Sequence, residues 1–169
     1  MNVLVAFASR HGSTSEIAHA LAQELRVVGH SVTVRPVNEV KGIENYEAAV
    51  IGSAIYMGNW LPETRCFVEG NQGAPARIPI WFFSSGPLGE DHPQPHGDPA
   101  DLAAMMQATG AHGHQLFIGK LDRSHLGFGE RLIAKAVKAP EGDFRDWDAI
   151  RRWARDIASV LSAKAPSVV

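Results

Sequence analysis

The sequence predicts a three-layer α/β domain in which helices doubly wind a five-stranded parallel sheet. Three features point there. The chain opens on a continuous apolar segment, Val3-Leu4-Val5-Ala6-Phe7, of the kind buried on both faces of a parallel sheet. Amphipathic stretches then alternate with further apolar segments, and strands one, three and four each run straight into a short turn rich in hydroxyls and glycine.

Directly after the first strand, Ser13 is expected to cap a helix and Glu16, three residues on, to complete a capping box. Ile17, Leu21, Leu25 and Val28 form its apolar stripe, and Gly29 ends it. Val32 and Val34 alternate with Thr33 and Arg35 in a second strand over residues 31–35, and residues 48–53 form a third. Residues 62–69 are predicted helical. A fourth strand over residues 78–84 carries Trp81, Phe82 and Phe83; a fifth over residues 114–119 carries Leu116, Phe117 and Ile118. Between them Asp98 is expected to cap a helix with Pro99 at its first position, running through Leu102, Met105 and Met106 to Gly110. A last helix begins near Asp146 and turns Trp147, Ile150, Ala154, Ile157 and Leu161 inward.

The chain has 169 residues, 45% of them hydrophobic, and a formal net charge of −2. A domain of this size buries about 70% of its unfolded surface and needs no staple. One domain over residues 1–163 with a tail of 164–169 is therefore expected. The single cysteine, Cys66, excludes an intramolecular disulfide and is expected to be buried on its helix; it suits a reducing, cytoplasmic setting. The short apolar run at residues 2–8, which has no charged leader, predicts no export signal. The charge balance argues against nucleic-acid binding.

Ligands of doubly wound sheets bind beyond the carboxyl ends of the strands. After strand one come Ser9, Arg10, His11, Gly12, Ser13 and Thr14. There hydroxyls, backbone N–H groups and a helix dipole converge on the place an anion would take, and an ordinary capped turn is the plainer alternative. The turn lacks the lysine-containing pattern of a Walker loop and the three-glycine pattern of a dinucleotide site. It also lacks the thiol of a cysteine phosphatase, and the carboxylates of a phosphoacceptor domain are replaced by Ser9 and Ser53. After strand three, Ser53, Ala54, Ile55, Tyr56, Met57 and Gly58, with Trp60 beyond, offer small residues beside aromatic and thioether faces on which a flat ring could lie. Tyr56 and Trp60 could equally cover the sheet edge. After strand four, Ser84, Ser85, Gly86, Pro87 and Leu88 present hydroxyls and free N–H groups toward the opposite side of such a ring.

Three such loops, in this order on this alternation, resemble the flavodoxin-like fold. The resemblance covers nearly the whole chain and implies strand order 2-1-3-4-5 and flavin mononucleotide (FMN) as cofactor. It implies that Ser9 through Thr14 hold the phosphate, Ser53 through Gly58 one side of the flavin, and Ser84 through Leu88 the other. Within that superfamily the stretch Gly52 to Gly58, the run Phe128-Gly129-Glu130-Arg131-Leu132-Ile133-Ala134-Lys135 and Asp146-Trp147 are similar to the menaquinone-dependent protoporphyrinogen IX dehydrogenase family. That likeness implies an FMN-dependent oxidoreductase of haem biosynthesis, with a porphyrinogen or a quinone as small-molecule substrate. Departures are Met57 where many flavodoxins place an aromatic, histidines after Gly86-Pro87 in place of basic residues, and a shorter stretch between Lys138 and Asp146.

A flavodoxin-type electron carrier is the alternative class; carriers are strongly acidic, and −2 gives little such field, which favours an enzyme. A binding module without flavin is the third. The chemistry would belong to the flavin, so no side chain is assigned as catalytic. Residues 123–138 set Leu126, Phe128, Leu132, Ile133 and Val137 beside Arg123, Arg131, Lys135 and Lys138. Such a helix packs on the domain or lies at the inner face of a membrane. His92 and His96, in the loop over residues 86–99, are four apart, but no ligand pattern completes a metal site.

Overall fold

The computed structural model describes residues 1–71, 78–86, 98–121, 127 and 142–164. Strands β1 (Asn2–Ala8), β2 (Ser31–Pro36), β3 (Ala48–Tyr56), β5 (Ile80–Ser85) and β6 (Gly113–Phe117) form one parallel sheet in the order β2-β1-β3-β5-β6. This is the expected 2-1-3-4-5 arrangement. A short β4 (Asn59–Trp60) turns back antiparallel on the end of β3, and β7 (Lys120–Leu121) pairs with β8 (Gly142–Asp143) in a separate ribbon.

The sheet core is alternation made physical. Val3, Val5, Phe7, Ala48, Val50, Trp81 and Phe83 point to the side covered by α1 (Ser13–Val27) and α4 (Trp147–Lys164). Leu4, Ala6, Ala49, Ile51, Ile80 and Phe82 point to the side of α2 (Pro62–Gly70) and α3 (Leu102–Thr109). Two continuous cores result, and their alternate apolar residues are why β1, β3 and β5 read as wholly apolar. The packing leaves no room at Gly52. A Cβ there would stand 2.0 Å from the Phe83 ring, which lies opposite it in register.

Several element ends differ from expectation. Helix α1 begins one residue early, with Gly12 at the N-cap in a left-handed conformation (φ 85°) and no side-chain cap, so the Ser13–Glu16 box does not form. Both side chains are drawn elsewhere, as shown below. Val28 lies outside the apolar stripe and is exposed, whereas Gly29 does end the helix, with φ 93° and its N–H on the Arg26 carbonyl. Helix α3 starts at Leu102, because the Asp98 carboxylate turns to His114 in place of capping it. The fourth long strand, β5, starts at Ile80, and β6 stops at Phe117. Cys66 is exposed, since Thr64, Phe67 and Val68 are the residues α2 turns inward. The last helix behaves as predicted, starting at Trp147 with Ile150, Ala154, Ile157 and Leu161 buried and Trp147 packed against them; the Ala149 N–H donates to the Asp146 carboxylate, capping α4.

Candidate functional site

The carboxyl ends of β1, β3, β5 and β6 meet at one edge of the sheet. The Arg10 guanidinium lies 4.4 Å from the centre of the Tyr56 ring, tying the first loop to the second. Ser13 Oγ lies 3.5 Å from Ser85 Oγ, tying the first to the third. Beyond β6 the Lys120 N–H donates to Ser13 Oγ at 3.2 Å. Gly86, at φ 95°, turns its N–H to the Phe117 carbonyl.

At the head of α1 an anion would find donors. The first helical amides have no carbonyl a turn earlier, Glu16 N–H being the first to reach back, to Gly12 O at 3.0 Å. Among the described residues no side-chain cap bond reaches them. Ser9 Oγ is buried without a hydrogen-bond partner among the described residues, an expensive arrangement unless something supplies one. Thr14 is buried, and Arg10, His11 and Gly12 are exposed.

The second loop is held tightly. Met57 has φ 51°, a left-handed conformation costly for a residue with a Cβ, yet the residue is 81% exposed. Asn59 Nδ2 donates to the Met57 carbonyl and the Ala100 N–H to the Gly58 carbonyl. Ala54, Ile55 and Tyr56 are half-buried, and Gly58 is exposed.

Two predicted contact residues turn their hydroxyls inward. Ser53 Oγ donates to the Ala54 carbonyl and accepts from Leu61 N–H, fastening β3 to the start of α2. Ser84 Oγ accepts from Trp60 Nε1 at 2.7 Å and faces His114 Nε2 at 2.8 Å, while His114 Nδ1 lies 3.3 Å from Asp98 Oδ1. Trp60 is thereby a core residue packed edge-on against Phe82, and Tyr56 alone remains to cover the loop. Burial pushes the His114 imidazole pKa down, with Asp98 opposing. The Ser84–His114–Asp98 connectivity is that of a hydrolase triad, but Ser84 Oγ is fully buried and occupied by the indole. It is a lock, not a nucleophile.

Pro87 and Leu88, His92 and His96, and the basic stretch from Arg123 to Lys138 lie outside the described residues, Gly127 excepted. Among the described residues no cluster of His, Cys, Asp or Glu could hold a metal, and no helix is long and apolar enough to cross a membrane.

The sequence profile of the Flavodoxin domain family matches residues 4–148. The chain belongs to that family. It is 34% identical over 86 residues to protoporphyrinogen IX dehydrogenase [quinone] of Escherichia coli K12, a match that takes in 50% of this chain and 48% of that protein. The chain thus spans about half the length of the curated relatives it matches. Among solved structures it is similar to an archaeal flavodoxin (TM-score 0.64, 18% identity, 96% of this chain and 99% of that one). It is also similar to the rubredoxin oxygen:oxidoreductase of Desulfovibrio gigas (TM-score 0.68, 18% identity, 98% and 37%). These likenesses establish the flavodoxin fold.

Flavin mononucleotide is the cofactor of this flavodoxin-domain family. The donor set at the head of α1 fits its phosphate: left-handed Gly12, amides without a side-chain cap, and the orphaned Ser9 hydroxyl. Sequence reasoning missed the Trp60–Ser84–His114–Asp98 chain and the part played by Lys120. The signal was faint: His114 reads as one polar residue in a strand, and a backbone N–H carries no sequence mark.

Proposed function

We propose that this chain is an FMN-dependent oxidoreductase that passes electrons between a small-molecule donor and a quinone-type acceptor. The observation that carries it is the head of α1, where an uncapped helix terminus and the orphaned Ser9 hydroxyl stand at the sheet edge shared by all three loops. Ser9, Ser13 and Thr14 with the amides after Gly12 would hold the phosphate, Arg10 and His11 flanking it. Ala54 through Gly58 would bound one face of the ring system, and Ser85 and Gly86 the other, with Ser53 and Ser84 bracing the loops from behind. When bound, the flavin supplies hydride and electron chemistry at N5. The protein orients it: Arg10 holds Tyr56 at the loop mouth, and the Ala100–Gly58 bond fixes the turn that bears Met57.

Likeness over half the chain to a protoporphyrinogen IX dehydrogenase supports a porphyrinogen as the donor. The test is anaerobic incubation of FMN-loaded protein with protoporphyrinogen IX and a water-soluble quinone, following porphyrin fluorescence. Catalytic growth of fluorescence supports the dehydrogenase. No turnover, together with rapid electron relay between a reductase and an acceptor protein, would establish a carrier instead.

A further inference from the structure

Glu16 sits in the first turn of α1, where a carboxylate favours the helix but competes with any anion for the same dipole and amides. In this chain that acid is drawn off. Arg145, just before α4, brings Nη1 to 2.8 Å from Glu16 Oε2, and its side chain is only 2% exposed. The guanidinium is itself fixed: Nε donates to Asp143 Oδ1 at 2.7 Å and Nη2 to Oδ2 at 2.5 Å, and its Cζ lies over the Trp147 ring, 4.4 Å from the ring centre. Asp143 belongs to β8, whose partner β7 places Lys120 N–H on Ser13. The same ribbon therefore holds both the arginine and the first helical residue of the loop.

A buried arginine committed to one carboxylate by a two-point fork has little need of a second. Its reach across to Glu16 has a clear electrostatic consequence at the loop. We propose that Arg145 is a positioning residue for phosphate selectivity: it withdraws and neutralises the Glu16 carboxylate so that the head of α1 is left to a ligand phosphate. This rests on the phosphate reading above. Without Arg145, Glu16 would stand as an uncompensated negative charge within the first turn, and repulsion between like charges near a protein surface is worth about a tenfold change in anion affinity.

The test is titration of apoprotein with FMN and with riboflavin, which lacks the phosphate, in wild type, Arg145→Gln, Arg145→Gln/Glu16→Gln and Glu16→Gln. The expected result is that Arg145→Gln weakens FMN about tenfold while leaving riboflavin nearly unchanged, and that the double variant recovers the preference. Equal weakening of both ligands without recovery would make Arg145 a merely structural residue and overturn the inference. If Arg145→Gln does not fold, Glu16→Gln decides: FMN affinity kept or raised supports the proposal, and a selective loss of FMN refutes it. Wild-type protein that binds both ligands equally would remove the phosphate reading itself. A wild-type preference that survives in Arg145→Gln removes only the role given to Arg145.

Discussion

Ser84 Oγ on β5 and His114 Nε2 on β6 share a hydrogen bond across 2.8 Å. The direction follows from the neighbours. An indole N–H only donates, so Ser84 Oγ accepts from Trp60; the buried hydroxyl hydrogen has no acceptor among the described residues other than the imidazole, which assigns it to His114 Nε2. Nε2 is then bare, and the ring proton sits on Nδ1, facing the Asp98 carboxylate at 3.3 Å. Trp60, Ser84 and His114, from β4, β5 and β6, share one hydrogen-bonded chain, and the Asp98 carboxylate on the approach to α3 stands beside its far end.

Replacing Ser84 with alanine breaks that chain at its centre. The buried Trp60 N–H and the His114 acceptor lose their partner together, at a cost of about 1–3 kcal/mol. Urea unfolding of Ser84→Ala should show this as a lower midpoint with an unchanged slope. A midpoint equal to wild type would mean that water or another group serves the indole as well.

Acid should loosen the fold through the same histidine. Burial holds the folded pKa of His114 below its ordinary value of 6.5, so between the two values the unfolded chain binds more protons. Stability is then fully present above about pH 6.5 and is lost as pH falls through the window beneath it. His30, lowered by burial and the N-terminal charge, adds in the same direction, whereas Asp143, lowered by Arg145, acts only below its ordinary value of 3.8. Melting at pH 7.5 and 5.5 should show a drop in wild type and a smaller one in His114→Gln.

Much of this was legible in the sequence because burial alone dictates it. The apolar runs of β1, β3 and β5 announce a sheet covered on both faces, and the turns at Ser9 and Ser85 follow them at once. What could not be read is which way a polar side chain turns. Ser13 and Glu16 spell a capping box, but Lys120, 107 residues away from Ser13, and Arg145 claim them. Ser53 and Ser84 have the composition of ligand contacts, yet the pleat points both inward. Cys66 sits on an amphipathic helix whose inward face is set by Phe67 and Val68, which no local pattern reveals.

Gly52 marks a place where size alone matters. A methyl group there would meet the Phe83 ring at 2.0 Å, and neither strand can move without breaking the central ladder. Gly52→Ala should destabilise by about 1–3 kcal/mol or more, measured by thermal melting. Wild-type stability would show that Phe83 has another place to go.

Met57 should matter to ligand more than to fold. Relief of its left-handed backbone by glycine, about 1 kcal/mol, is nearly offset by the extra freedom glycine brings to the unfolded chain. The side chain is exposed and buries almost nothing. Met57→Gly should therefore melt within a few degrees of wild type while binding FMN more weakly, by fluorescence titration of the free flavin. Unchanged FMN binding would leave the strain without a purpose at this site.

The most direct measurement is the visible absorbance of the purified protein before and after addition of FMN, with riboflavin as the control that lacks a phosphate. A two-banded flavin spectrum carried by the protein, with riboflavin held much more weakly, is the result predicted from the uncapped head of α1 and the orphaned Ser9 hydroxyl. Protein that stays colourless with either ligand would contradict the flavin site and the oxidoreductase built on it.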